Sequence, residues 1–61
     1  MNELVERSKD CFELACVYSI LSLAAKKLKD QDSAERLAAF SVYYVAEGIK
    51  WLALSADEKE K

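Results

Sequence analysis

Two helical stretches separated by a short polar break carry more apolar surface than they can bury against each other, and this surplus constrains the fold of the 61-residue chain more than any motif. Placed at 100° intervals, Leu14, Val17, Leu21, Ala24 and Leu28 fall on one face of the first stretch, while Leu4, Val5, Cys11, Phe12 and Ala15 fall on nearly the opposite one. In the second stretch only Arg36, Tyr43, Glu47 and Lys50 make a polar stripe. The remaining apolar arc covers roughly 260°, against the 100° or so that one neighbouring helix requires. Val45, Ile49 and Leu52 on one side and Phe40, Tyr44 and Trp51 on the other cannot all meet a single partner helix, so these six are the expected interface with another chain. The fold expected is all-α: an antiparallel two-helix hairpin that assembles into a four-helix bundle as a homodimer or higher oligomer.

Composition agrees with helices. One Gly, no Pro, 52% hydrophobic and 33% charged residues leave too little turn chemistry for a sheet protein. The first helix is expected over residues 2–29, with Asn2 as N-cap, Glu3 and Glu6 at the positive end of the macrodipole and Lys26, Lys27 and Lys29 at the negative end. A turn is expected at 30–32. Asp32 with Glu35 three residues on has the spacing of a capping box, which starts a second helix over 33–55 and leaves 56–61 as a charged, frayed tail. The whole chain makes one domain. A rival is one long helix in a coiled coil, since Leu14, Val17, Leu21, Ala24 and Leu28 continue in register to Ala38, Val42, Val45, Ile49 and Leu52. Against it stand Gln31 and Glu35 at the intervening seam positions and the many apolar residues off the seam.

The chemistry-bearing residues are few. Cys11 and Cys16, five apart on one helix, have Cα atoms about 8 Å apart and point about 140° away from each other, which excludes a bridge between them. Two reduced thiols suit a cytoplasmic protein. With no His and no Cys-x-x-Cys pair, neither a metal nor another cofactor is expected. Glu3, Glu6, Asp10 and Glu13 recur at helical spacing and read as a solvated stripe. The lack of a His base, a Gly-rich phosphate loop or a nucleophile elbow argues against an enzyme.

The amino end carries acids where a secretory signal carries bases. The apolar run from Phe12 to Ala25 is short of the roughly 20 residues a membrane span needs, so no membrane association is expected. Lys26, Lys27, Lys29 and Arg36 gather near the turn and form the one candidate for nucleic-acid contact. Asp30, Asp32 and Glu35 sit among them, and the chain carries a net charge of −2. The function expected is therefore self-association and protein interaction, with a small regulatory nucleic-acid-binding bundle as the alternative and a subunit of a hetero-complex as a third.

Three further features bear on packing. With the turn near residue 31, position i is expected to face about 62 − i, which sets Lys50 beside Glu13 for an ion pair worth under about 1 kcal/mol. Tyr18, Phe40, Tyr44 and Trp51 read as core or interface rather than as a stacking platform. Gly48 inside a helix costs about 1 kcal/mol relative to Ala and implies a close helix approach, near Leu14 and Ala15.

Residues 37–53, LAAFSVYYVAEGIKWLA, resemble a family of small uncharacterised archaeal helical-hairpin proteins whose second helix carries A-x-x-x-Y-A-x-G-x-x-x-A. Ala46 and Gly48 match that pattern, while Glu47 stands where the family often has His and Val45 where it often has Tyr. The resemblance implies a helical hairpin and supplies no function.

Overall fold

The computed structural model describes residues 2–60, and side chains as far as Glu58. Two helices, α1 (Glu3–Lys27) and α2 (Gln31–Glu60), fold back on each other as an antiparallel hairpin whose Cα atoms span 50 × 16 × 9 Å. The single continuous helix is thereby excluded. Asn2 caps α1 as expected, its side-chain oxygen accepting from the Leu4 amide at 2.9 Å.

The turn falls earlier than expected, at residues 28–30, because α1 ends in a Schellman closure. The Asp30 amide donates to the Ala25 carbonyl at 2.9 Å and the Lys29 amide to the Lys26 carbonyl at 3.0 Å, with Lys29 left-handed at φ 62°. Asp30, not Asp32, then caps α2 by accepting from the Ser33 amide at 3.2 Å. Hydrogen bonds from the Ser33 side chain and backbone hold the Asp30 carboxyl below the usual carboxylate range, with a lesser contribution from Arg36. The folded-state pKa is the depressed one. This stabilisation is therefore complete above the unfolded carboxylate's pKa and is lost as pH falls through the folded one. Glu35 accepts from Gln31 at 3.2 Å instead of closing a box. At the far end α2 continues through 56–60, where the expected frayed tail contains no helix breaker.

A lysine in the left-handed region costs about 1 kcal/mol that glycine would not. Lys29→Gly is accordingly expected to raise the unfolding free energy by about 0.5–1 kcal/mol and the melting temperature by about 3–5 °C in thermal circular dichroism. A lower melting temperature would show that the Lys29 side chain contributes more than the strain of its backbone costs.

The seam between the helices is made of small residues at seven-residue spacing. Ser8, Ala15 and Ser22 of α1 are buried against Ala34, Ser41, Gly48 and Ser55 of α2. Three serine hydroxyls cross it to the opposite backbone: Ser8 to the Gly48 carbonyl (3.0 Å), Ser22 to that of Ala34 (2.7 Å) and Ser41 to that of Ala15 (2.9 Å). Each carbonyl has a second lone pair free for this beyond its helical bond. Such short donors reach across only if the helix axes lie at the near end of the roughly 8–10 Å range of packed helices. Ser19 completes the set by donating to Ser41 at 2.9 Å, and Asn2 Nδ2 donates to Ser55 at 2.9 Å where the two chain ends meet. Buried hydroxyls that find partners contribute about 1 kcal/mol each, whereas unpartnered ones cost about 1–3 kcal/mol.

These pairs put position i opposite about 56 − i, which separates Glu13 from Lys50. Lys50 instead pairs with Glu47 of its own helix at 3.1 Å.

Candidate interaction surface

Because serine, alanine and glycine fill the seam, the large apolar side chains are left outside it. Of the two apolar faces expected on α1, the one carrying Leu14, Val17, Leu21 and Leu28 is exposed, Leu28 by 81%, while the other contributes buried Ala15 and half-buried Leu4, Cys11 and Phe12. Ile20 and Leu23 are 66% and 59% exposed and Val42 of α2 is 70% exposed. The only buried hydrophobic residues among those described are Ala15, Ala25 and Ala34.

The two broad faces of the hairpin differ. On one, Tyr18 stacks on Phe40 (centroids 5.3 Å apart) and on Tyr44 (5.6 Å, planes within 2°), while Tyr43 meets Tyr44 edge-on at 5.1 Å. Trp51 lies beneath Arg7 and Lys50, whose charged ends stand 5.0 Å and 4.6 Å from its ring. Large rings thus bridge the two helices on that side, and the hollow of about 440 Å³ beside Phe40 and Tyr43 is lined by α2 alone. On the other face the groove stays open: one hollow of about 380 Å³ includes Phe12, Cys16, Ile20 and Val45 in its lining, and a second of about 340 Å³ includes Leu23, Ala38 and Val42. Ser19 and Ser41 belong to both, which makes them one continuous trough.

The six expected interface residues divide accordingly. Tyr44 and Trp51 are half-buried within their own hairpin, and Phe40, half-exposed, flanks the aromatic stack. Val45 lines the open trough; Ile49 and Leu52, in the same helical stripe, are exposed at 57% and 44%.

Lys26, Lys27, Lys29 and Arg36 are all exposed at the turn end, interspersed with exposed Asp30, Asp32 and Glu35. Glu3, Glu6, Asp10 and Glu13 are exposed along α1. Among the described residues no group of three or more His, Cys, Asp or Glu side chains converges as a metal site requires. Cys16 is exposed and Cys11 half-buried, both as free thiols. The stretch Gln31–Glu58 of α2 is long and apolar enough by composition to cross a membrane, with Glu47 and Lys50 inside it.

The signal for this surface was present in the sequence as a surplus of apolar residues. The signal for the seam, small residues at seven-residue spacing, carries almost no hydropathy. No family model, curated protein or solved structure matches the chain.

Proposed function

We propose that the chain is a small self-associating helical module, a hairpin that pairs with further copies to form a four-helix bundle and acts through protein contact without catalytic chemistry of its own. The observation that carries this is the accessible surface. At 6.9 kDa a folded monomer typically exposes roughly 4,000 Å². This hairpin exposes 4812 Å². The excess of about 800 Å² equals what one partner contributes to a standard protein–protein interface, and the large apolar side chains left exposed are leucine, isoleucine and valine with Phe40 and Tyr43.

Self-association of this kind makes folding depend on concentration. Light scattering is expected to give at least twice the chain mass at micromolar concentration. Each tenfold dilution removes about 1.4 kcal/mol from a dimer and lowers the melting temperature by about 5 °C. A helical monomer with a cooperative, dilution-independent melt would refute the proposal.

A further inference from the structure

Resting on the self-association proposed above, we infer that two copies dock trough to trough and antiparallel, the turn end of each hairpin lying against the open end of the other. The choice of face follows from the difference between them. Aromatic rings already bridge the two helices on one side, whereas on the other the small seam residues floor a trough rimmed by Ile20, Leu23 and Val42, which a matching ridge of aliphatic side chains can enter.

The occupant follows from the height of the apolar belt. Neither residues 14–25 of α1 nor residues 37–46 of α2 contain a charge, which gives each helix an uncharged stretch of about 15–18 Å at 1.5 Å per residue, the two overlapping where residues 14–19 face residues 37–42. That is little more than half of the roughly 30 Å of hydrocarbon in a bilayer. Asp10 and Glu13 below it and Lys26 and Lys27 above it would enter the lipid if the hairpin spanned one. A second hairpin carries a belt of equal height, and the hairpin's whole surplus of about 800 Å², of which the trough side chains Ile20, Leu23, Val42 and Val45 form a part, is the size of one partner's share of a standard interface.

Orientation follows from charge. The open end, residues 2–13 with 47–58, holds seven acids against three bases; the turn end, residues 26–36, holds four bases against three acids. Parallel docking sets two acidic ends side by side. Antiparallel docking sets Lys26 and Lys29 of one copy near the acidic stripe of Glu6, Asp10 and Glu13 on the other, which turns repulsion into attraction.

Two measurements test this. A spin label at Gln31→Cys, which keeps every charge at the turn, in a Cys11→Ala/Cys16→Ala chain shown by light scattering to retain the wild-type mass, is expected to give a tip-to-tip distance above about 35 Å, since the hairpin is 50 Å long. A dominant distance below about 20 Å would overturn antiparallel docking and leave self-association intact. On the unmodified protein, the dissociation constant from sedimentation is expected to rise about five-fold between low and high salt, because screening removes an attraction. A dissociation constant that falls with salt would indicate like ends together and overturn the orientation. Monomeric protein by light scattering would overturn the proposed function as well, and monomers that float with phosphatidylcholine vesicles would assign the belt to lipid.

Discussion

Replacing Val42 with glutamate is expected to convert a helical oligomer into a largely unfolded chain. In an isolated hairpin the change is nearly harmless. Val42 is 70% exposed there, and surface substitutions usually stay within about 0.5 kcal/mol. Beneath a second copy the same substitution forfeits about 1.5–3 kcal/mol of aliphatic burial and adds several kcal/mol for an unpaired buried charge, once per subunit. A two-helix chain whose buried hydrophobic residues, among those described, are three alanines has little left to fold around. Far-UV circular dichroism and light scattering should therefore fall together, with no folded monomer between, and a charge at Val45 should act in the same direction. Unchanged melting and mass for Val42→Glu would mean that the trough faces solvent.

Gly48→Val is expected to cost about 3 kcal/mol and to lower the melting temperature by at least 10 °C. A Cβ at this position would lie 2.7 Å from Cε1, 2.8 Å from Cζ and 2.9 Å from Cδ1 of the Phe12 ring. The ring would have to turn outward into the trough where a second copy is proposed to dock. Alanine is the sharper probe. It gains about 1 kcal/mol of helix propensity over glycine and meets the same ring. Gly48→Ala should be destabilising in the wild-type chain and stabilising by about 1 kcal/mol once Phe12→Ala removes the ring, a reversal of sign that a double-mutant cycle of thermal melts reads directly. Stabilisation by Gly48→Ala in both backgrounds would show that Phe12 does not press on the helix.

The helices, the Asn2 cap, the hairpin and the apolar surplus are legible in the sequence because large side chains and charges mark them. The seam is not. A search for helical periodicity weights large apolar side chains and so finds two faces on α1, one with Leu14, Val17, Leu21 and Leu28 and one with Phe12 and Ala15, whereas the fold packs it along Ser8, Ala15 and Ser22. What decides between them is approach distance: small residues admit the opposite backbone, and serine hydroxyls find its carbonyls. The same limit moved the turn. Asp32 with Glu35 is the stronger capping pattern on paper, but the Schellman closure at Lys29 begins α2 at Gln31, and that offset of a few residues separates Glu13 from Lys50. For the surface, placing residues at 100° separates Val45, Ile49 and Leu52 from Phe40, Tyr44 and Trp51. It cannot say which set turns toward α1, because that depends on the seam.

A stripe that repeats every seven residues with near-interchangeable members has a weakness, since sliding one helix along the other by two turns lays small residues on small residues again. The three-residue turn opposes such a slip by tethering one end. Gly48 opposes it from within, as the single notch in α2 deep enough for the Phe12 ring. A slip of one repeat would bring that ring onto Ser41 or Ser55, whose Cβ atoms deny it entry. The hairpin is thus aligned like a vernier, by one mark that fits in only one place.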